Sequence, residues 1–402
     1  MADVLKPGTP DEVAALIAAA KGALEVRGLG TKRALGRPTP EGTPVLDLSR
    51  LSGITLYEPE ELVLGARAAT PMKDVRAALA EKRQELAFDP PDLSALLGAN
   101  GEGSLGGVLA CNLSGPRRIK AGAARDHFLG FSGVNGRGEA FKSGGRVVKN
   151  VTGFDLSKLL AGSFGTLAAL TDVTVKVMPK AEKIRTVLIF GLTPEAGVAA
   201  MRDALGSAHE VAAAAYLPPE AAKTSAVDLV ARAGVSVTAL RVEGPGLSAD
   251  YRGRALRGSA TGITEELHTR NSGVFWREVR DAAPFHADGA AQIWRLSVPP
   301  SDGARVAAAI LARLRGRYFL DWGGGLVWLA LDPLPDAGAD AVRGALAPTS
   351  GHATLIRAGS DVRARVPVFQ PDPPALVELA RRIKDGFDPD RRLNPGRMAE
   401  GV

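Results

Sequence analysis

A run of glycines and small hydroxyl residues directly before a strand pattern constrains this chain more than any other feature. Residues 162–166 read GSFGT, and residues 171–177 alternate valines with polar side chains. Alternation with a period of two predicts a half-buried strand. Glycine lets a backbone approach a ligand closely, and the hydroxyls offer hydrogen bonds to it. The segment therefore predicts either a ligand-contacting turn or a simple tight turn, since glycine serves both.

Length and charge restrict the class of protein. The chain has 402 residues, a net charge of +6 and 45% hydrophobic residues. The length predicts two or three domains with a real core. Cations and anions are spread along the chain without a long basic run, and aromatic residues make up 5%. We therefore expect no nucleic-acid binding and favour an anionic ligand or an acidic partner.

The cysteine content and the lack of long apolar segments indicate the compartment. Cys111 is the single cysteine, so no intramolecular disulfide is expected and a reducing, cytoplasmic location is predicted. One cysteine also excludes an iron–sulfur cluster ligated by the cysteines of this chain alone. No stretch of about 18 uninterrupted apolar residues occurs, which predicts no membrane-spanning helix. Residues 9–12, TPDE, indicate a helix start rather than a signal peptide.

The order of elements predicts an α+β protein. Short strands and helices alternate over residues 1–180, and a strand–helix–strand pattern over residues 183–345 predicts an antiparallel sheet backed by helices. Between them, residues 92–145 hold 13 of the 47 glycines. That density predicts a long irregular stretch, which a compact domain rarely tolerates unless it binds something.

The first glycine-rich loop suits an anion. Residues 27–36 read RGLGTKRALG after a predicted strand. Successive backbone N–H groups in such a loop form an anion-binding nest, and a pyrophosphate is the natural occupant. The dinucleotide pattern G-x-G-x-x-G is rejected because Arg33 occupies its third glycine position, and no phosphate-binding P-loop motif occurs. Further glycine-rich segments follow at residues 90–115 and 122–130.

These segments, taken in order with LNPGR at residues 393–397, resemble the FAD-binding domain of the vanillyl-alcohol oxidase/p-cresol methylhydroxylase superfamily. The resemblance implies an α+β, two-lobed fold. An FAD-binding domain of the p-cresol methylhydroxylase type would span residues 1–180. A smaller α+β cap or substrate-like domain would span residues 183–345, and a C-terminal segment, residues 346–402, would return to the FAD domain. Leu29 stands near where families with covalent flavin have a histidine, so non-covalent FAD is expected.

The resemblance also implies a set of cofactor contacts. They fall in the first loop, the SLGG turn, the segment around residue 125, the GSFGT turn and the tail. The implied FAD-binding residues are Arg27, Gly28, Leu29, Gly30, Thr31, Lys32, Pro91, Ser104, Leu105, Gly106, Gly107, Asn112, Gly115, Arg125, Asp126, Gly162, Ser163, Gly165, Thr166, Leu167 and Asn394.

Other stretches narrow the resemblance. LACNLSGPRR, DWGGGLVWL, SGHATLIRAG and LNPGRM look like the FAD-binding subunits of bacterial glycolate oxidase (glycolate dehydrogenase). This implies oxidation of glycolate, a 2-hydroxy acid, to glyoxylate beside a larger FAD-containing subunit and an iron–sulfur subunit. Membrane association would be at most peripheral, on the inner membrane and through the complex. Two alternatives stay open: a self-sufficient FAD-dependent enzyme for another hydroxy acid, sugar or lactone, and a scaffold subunit that has lost its flavin.

One departure from catalytic relatives bears on activity. Those relatives resemble one another in a histidine-rich metal site, but here Trp322 and Trp328 replace two of its histidines, and His352 lacks an acidic neighbour. A single histidine is too poor a ligand set for a divalent ion, so no metal site is expected. His352 remains as a candidate proton relay or relic ligand, against the alternative of an ordinary hydrogen-bonded histidine. Catalytic residues are otherwise unassigned, and the isolated chain is expected to be inactive.

Overall fold

Two structural units divide the chain. The computed structural model describes residues 3–145 and 153–401. The first unit comprises Met1–Ser114, Gly122–Lys180 and Pro367–Val402, and the second comprises Gly115–Ala121 and Ala181–Val366. The predicted limits differ at residues 115–121 and 346–366, which lie in the second unit. The later stretch belongs there because its strand pairs with that unit's sheet.

The first unit begins with a small parallel sheet. Its strands run in the order β1 (Val4–Leu5), β3 (Val45–Asp47), β2 (Glu25–Arg27). Helix α1 (Pro10–Ala19) starts as predicted, because the Thr9 hydroxyl accepts a hydrogen bond of 3.2 Å from the Glu12 amide. Val13 and Ile17 of this helix are fully buried and pack with Leu24, Leu46 and Leu393.

An antiparallel sheet forms the rest of the unit's framework. Within the described residues it has five strands: β4 (Ile54–Glu58), β5 (Val63–Arg67), β9 (Ala169–Lys176), β7 (Phe128–Val134) and β8 (Ala140–Gly144), in that order. β6 (Gln84–Glu85) pairs separately with β10 (Met178–Pro179). The helices are α2 (Met72–Glu81), α3 (Ser94–Leu97), α4 (Leu105–Ala110), α6 (Ala124–His127) and α7 (Leu156–Leu160). The alternation predicted for β9 is confirmed, since Val173 and Val175 are buried and the intervening residues are half-buried.

The glycine-rich stretch at residues 92–145 is not irregular, and that prediction was wrong. It contains α3, α4, α5 (Arg118–Ala121), α6, β7 and β8. Two of its glycines sit inside β7 because neighbouring backbone comes too close for a side chain. A Cβ on Gly130 would lie 2.6 Å from the Gly145 nitrogen, and one on Gly133 would lie 3.0 Å from the Ala169 oxygen. Glycine here marks close strand approach rather than a loop.

The second unit is an antiparallel sheet backed by helices, as expected. Its described strands run in the order β14 (Thr264–Leu267), β11 (Lys183–Phe190), β13 (Val237–Gly244), β12 (Ala213–Leu217), β16 (Gly316–Asp321), β17 (Leu326–Leu331), β15 (Gln292–Ser297), β18 (His352–Arg357). The helices are α5 (Arg118–Ala121), α8 (Pro194–Leu205), α9 (Pro219–Ala222), α10 (Asp228–Ala231), α11 (Gly246–Ser259), α12 (Thr269–Arg280), α13 (Gly303–Leu311), α14 (Ala339–Leu346) and α15 (Ser360–Arg365).

The C-terminal segment belongs to the first unit. Helix α16 (Pro374–Phe387) is mostly exposed, but its Lys384 is fully buried. After the helix, Leu393 bridges to Leu24 in parallel, beside the start of β2. The end of the chain is thereby fixed next to the glycine-rich loop that follows β2.

Candidate functional site

A cleft in the first unit collects most of the glycine-rich turns. The cleft is open to solvent on one side and holds about 830 Å³ of space that no protein atom fills. It is bordered by β2 and its following loop, the start of α4, the turn at residues 164–165 and the C-terminal tail. The predicted cofactor residues that line it are Arg27, Gly28, Leu29, Gly30, Thr31, Lys32, Ser104, Gly106, Gly107, Gly165 and Asn394.

The loop after β2 and the turn before α4 fit together without space for side chains. A Cβ on Gly28 would lie 2.8 Å from the Ser104 hydroxyl oxygen. A Cβ on Gly103, whose φ is +84°, would overlap Thr31 Oγ1 and would lie 2.5 Å from Lys32 Nζ. The two segments therefore require glycine to sit this close.

Ion pairs fix both ends of β2. Arg27 donates a hydrogen bond of 3.1 Å to Asp47, and Arg33 binds Glu25 through two bonds of 2.5 and 2.7 Å. Burial raises the pKa of the Asp47 carboxyl, but hydrogen bonds from Ser49 and Arg27 outweigh it and hold the pKa below its ordinary value. The loop is thus positioned by charged pairs that leave Lys32 uninvolved.

Lys32 is the feature that best fits an anionic ligand. In the described part of the chain its ammonium has one hydrogen bond, to the neighbouring Thr31 hydroxyl at 3.4 Å. Burial is the larger effect and lowers the pKa of the ammonium, while the charges of Cys111 and Asp92 act in the opposite sense. A half-buried cation without a bonded carboxylate is stabilised when an anion such as a pyrophosphate enters the cleft. Burial raises the pKa of the Cys111 thiol, so this residue stays neutral.

The C-terminal tail holds the cleft's other wall. Asn394 accepts a hydrogen bond of 2.8 Å from the Val26 amide and donates one of 2.9 Å to the Phe164 carbonyl. A Cβ on Gly165, whose φ is +71°, would lie 2.9 Å from the Asn394 side-chain nitrogen. Arg397 donates to the Lys32 and Arg33 carbonyls at 3.1 and 2.8 Å. The tail therefore joins the first loop to the GSFGT turn.

Other predicted cofactor residues are not among those that line this cleft, and their contact with FAD stays a prediction. They are Pro91, Leu105, Asn112, Gly115, Arg125, Asp126, Gly162, Ser163, Thr166 and Leu167. Leu105 and Leu167 pack in the hydrophobic core of the first unit. Asn112 accepts a hydrogen bond from the Arg125 amide, and Asp126 accepts one from the amide of residue 123, so both stabilise local turns.

Four more of these ten residues form turns or second-unit backbone. The Thr166 hydroxyl donates to the Ser163 carbonyl at 2.7 Å. A Cβ on Gly162 would lie 3.5 Å from the Asn112 Cβ, an ordinary packing distance. Gly115 belongs to the second unit, where its carbonyl accepts the Trp322 indole N–H at 3.0 Å.

Sequence reasoning missed about half of the cleft's lining. The additional residues are Glu25, Val26, Arg33, Leu48, Ala68, Ala69, Ala110, Cys111, Phe164, Ala168, Leu170 and Arg397. Several are alanines, whose small size beside glycine turns is a weak signal for a ligand wall. Arg397 stood within the quoted tail motif and was the one charged residue that could have been assigned from it.

His352 lies in the second unit on the edge strand β18, opposite Ser297. Desolvation by neighbouring groups lowers the pKa of its imidazole, and the positive charges of Arg295 and Arg118 lower it further. The ring is therefore neutral at neutral pH. Among the described residues, no group of three or more histidine, cysteine or acidic side chains is arranged to hold a metal ion.

Comparison with known proteins identifies the family. The chain is 32% identical over 377 residues to the glycolate oxidase subunit GlcE of Escherichia coli (strain K12), covering 93% of this chain and 92% of that protein. This chain belongs to the GlcE family. Residues 2–144 also match the family described as FAD binding domain. The glycolate oxidase subunit GlcD of Bacillus subtilis (strain 168) is 30% identical over 188 residues, which is 46% of this chain and 38% of that protein.

Solved structures show the same fold. p-Cresol methylhydroxylase with substrate bound superposes with a TM-score of 0.73 at 14% identity, covering 99% of this chain and 88% of that one. 4-Ethylphenol oxidase from Gulosibacter chungangensis gives 0.67 at 17% identity, covering 98% and 88%. The p-cresol methylhydroxylase-type fold expected from the sequence is therefore confirmed.

FAD is the cofactor of this GlcE-family chain, which is an FAD-dependent oxidoreductase. The cleft agrees with that assignment, because glycine-bounded backbone and a lysine without a bonded carboxylate suit a pyrophosphate. Among the described residues no helix is long and apolar enough to cross a membrane.

Proposed function

We propose that this chain is the FAD-binding subunit of a multi-subunit enzyme that oxidises a small 2-hydroxy acid, first of all glycolate, to the 2-oxo acid. Similarity to GlcE over nearly the full length of both chains carries the proposal. In this proposal the first unit is the FAD domain and the second is the cap or substrate-like domain. FAD is held without a covalent bond.

The chain's own groups would hold the cofactor in the cleft. Lys32 and the backbone amides of the Gly28–Thr31 loop would bind the diphosphate. Asn394 keeps that loop and the Phe164–Gly165 turn at a fixed separation. Apolar residues such as Leu170 line the rest of the cleft. When bound, FAD supplies the capacity to accept two electrons.

The second unit gives reasons to expect no oxidation by the chain alone. Trp322 and Trp328 stand where catalytic relatives carry histidines, and both are buried. His352 is neutral, but the two arginine charges near it oppose the protonated form that a general base must become. We therefore place substrate oxidation in the complex, with a larger FAD-containing subunit as a partner.

An iron–sulfur partner follows from the electron path. Cys111 is the one cysteine in the sequence and cannot by itself ligate a cluster. Electrons would thus leave through another chain, in a cytoplasmic complex with at most peripheral attachment to the inner membrane. A stable complex of this kind needs an interface on the order of 1,000 Å² or more.

Two measurements on the purified chain and one on the host test the proposal. The isolated chain should show a visible flavin spectrum, and acid precipitation should release all of the flavin. Anaerobic mixing with glycolate should leave that flavin oxidised for minutes. A tagged copy expressed in the native host should bring down a larger flavoprotein and an iron–sulfur protein, together with glycolate oxidation.

Each alternative has its own outcome. Rapid bleaching of the isolated chain by a hydroxy acid, sugar or lactone would replace the proposal with a self-sufficient enzyme. A colourless chain after gentle purification, with the complex still assembled, would replace it with a scaffold. Glycolate oxidation that persists in the host after deletion of this chain would refute the assigned pathway.

A further inference from the structure

The side chain of Lys32 lies beside the first turn of α4, at a wall of the cleft in the first unit. A Cβ on Gly103 would lie 2.5 Å from Lys32 Nζ, and one on Gly107 would lie 3.9 Å from the same atom. Lys32 and Gly107 both line the cleft. Glycine at residue 103 therefore leaves the space that the amine occupies, because any side chain there would displace it.

The amide groups of this turn already have acceptors within the protein. The Leu105 and Gly106 amides donate to backbone carbonyls at 3.0 and 2.8 Å, and the Gly107 amide donates to the Ser104 hydroxyl at 3.3 Å. The Lys32 amine, in contrast, has one long hydrogen bond of 3.4 Å within the described residues, to the hydroxyl of its neighbour. An ammonium can donate three hydrogen bonds, so an anion at this wall would meet the amine rather than the amides of the turn.

The carboxylates of the surrounding segments are bound to arginines instead of Lys32. The pairs are Asp47 with Arg27, Glu25 with Arg33 and Glu102 with Arg76. The charge of Asp92 favours the charged form of Lys32, but Lys32 forms no ion pair with any residue that the structure describes. The amine is therefore half-buried without a bonded countercharge, which makes its charged form less favourable than in water.

Lys32 differs from the other titratable groups at this wall. Arg397 reaches it from the C-terminal tail and donates to the Lys32 carbonyl at 3.1 Å, but a guanidinium stays protonated in proteins. Burial raises the pKa of the Cys111 thiol and so keeps it neutral. Burial lowers the pKa of the Lys32 amine, against the charges of Cys111 and Asp92. Of these groups, Lys32 is the one whose change of charge is moved towards neutral pH.

A bound diphosphate would favour the ammonium form, because an opposite charge close to a buried amine raises its pKa. Two ligands of one protein affect each other's binding equally, and here the second ligand is the proton. We propose that FAD binding is coupled to the protonation of Lys32, so that the chain holds FAD tightly at neutral pH and less tightly once the amine is neutral. The proton comes from solvent and returns to it when FAD leaves. This inference rests on the proposed function for the place of the diphosphate.

The dependence of the FAD dissociation constant on pH tests the coupling. The purified full chain with its flavin is diluted at pH values between 6.5 and 9.5, and the fluorescence of released flavin gives the constant at each pH. The parent's constant should rise about fivefold or more over this range. Lys32→Arg keeps the charge at every pH used, so its constant should lie near the parent's at pH 6.5 and stay level. Lys32→Met takes up no proton, so its constant should be about tenfold or more above the parent's at pH 6.5 and also stay level.

Two control variants exclude other causes. Lys73→Met removes an exposed lysine of α2 in the same unit and should follow the parent at every pH. Cys111→Ala should keep the parent's slope, which separates the amine from the thiol. Far-ultraviolet circular dichroism at each pH verifies that every variant is folded.

A parent constant that does not change with pH would overturn the proposal. So would a rise in Lys32→Arg equal to that of the parent, loss of the rise in Cys111→Ala, or binding by Lys32→Met as tight as the parent's at pH 6.5. If Lys32→Met does not fold, the comparison of the parent with Lys32→Arg still decides. A host complex inactive on glycolate would refute the proposed function and leave this result standing, and a colourless chain that takes up no added FAD would refute both.

Discussion

Replacing Lys384 by methionine should weaken the packing of the C-terminal tail beside the cleft more than a substitution of an exposed residue. Lys384 is fully buried, and its ammonium donates to the Asp388 carboxylate at 2.6 Å, the Thr166 carbonyl at 2.6 Å and the Leu393 carbonyl at 2.9 Å. All three donors of the ammonium are thus used. Methionine has a similar length and fills the same space, so the substitution removes the charge and the hydrogen bonds with little loss of volume.

The expected loss of stability comes from the Asp388 carboxylate, which loses its partner in this variant. Asp388 is also fully buried, and without its partner it becomes an uncompensated charge. Removing one member of a buried pair costs about 3–5 kcal/mol. Asp388 also accepts the amides of Arg392 and Leu393 at 2.9 and 2.8 Å. We therefore expect Lys384→Met to lower the free energy of unfolding of the first unit by about 3–5 kcal/mol.

Two further variants separate charge from packing. Arg381→Met removes an exposed ion pair of the same helix, to Glu378 at 2.9 Å, and should cost at most about 1 kcal/mol. Lys384→Met combined with Asp388→Asn should be less destabilised than Lys384→Met alone. The two backbone amides bond to different oxygens of Asp388, so asparagine can accept only one of them, but it leaves no buried charge.

Urea unfolding followed by the fluorescence of released flavin measures the effect. The probe reports on the first unit, because the segment after Asp388 carries Leu393 and Asn394, and Asn394 bonds the cleft at Val26 and Phe164. Lys384→Met should release flavin at clearly lower urea than Arg381→Met. A Lys384→Met variant within about 1 kcal/mol of Arg381→Met would refute the reasoning, since a buried unpaired carboxylate cannot cost so little.

Three other predictions concern the cleft itself. Gly30→Val should abolish FAD binding, whereas Gly42→Val, at an equally left-handed but exposed turn, should retain the flavin spectrum. The lowered pKa of Asp47 means that its bond to Arg27 stabilises the fold fully above the ordinary carboxyl pKa, about 3.9, and less as pH falls through the folded value. At pH 7 the Asp47→Asn variant should therefore unfold at a lower urea concentration than the parent. Between pH 5 and 3 its free energy of unfolding should fall less steeply than that of the parent. Asn394→Asp keeps the acceptor for the Val26 amide but loses the donor to the opposite turn, so its flavin dissociation constant, measured by fluorescence, should rise about tenfold.

Elements that are marked by a pattern of consecutive residues were predicted correctly from the sequence. The start of α1 followed from a threonine, a proline and two acidic residues, and β9 followed from its alternating valines. β7 was missed for a physical reason. Gly130 and Gly133 carry no side chain because adjacent strands approach too closely, and from sequence alone that is indistinguishable from loop glycine.

The candidate site likewise has residues that a local pattern predicted and residues whose role depends on distant contacts. The loop from Arg27 to Lys32 was predicted from consecutive residues, and the structure places all of them on one cleft. Lys384 was not predicted, because its role depends on Thr166, more than two hundred residues away, and nothing local marks a helical lysine as buried. Residues such as Asn112 and Asp126 were assigned to the cofactor by resemblance, but their side chains are used in hydrogen bonds of local turns.

The charged groups of the two units bear differently on cofactor binding and on oxidation. In the first unit, Lys32 lines the cleft without a bonded carboxylate, so the diphosphate of FAD would balance its charge there. In the second unit, Arg295 and Arg118 both lie over the Trp322 ring. Desolvation lowers the pKa of His352, and the charges of these two arginines lower it further. A base must become protonated as it takes up the substrate proton, and these arginines oppose the protonated imidazole. We therefore expect cofactor binding and substrate oxidation to be separable in this chain.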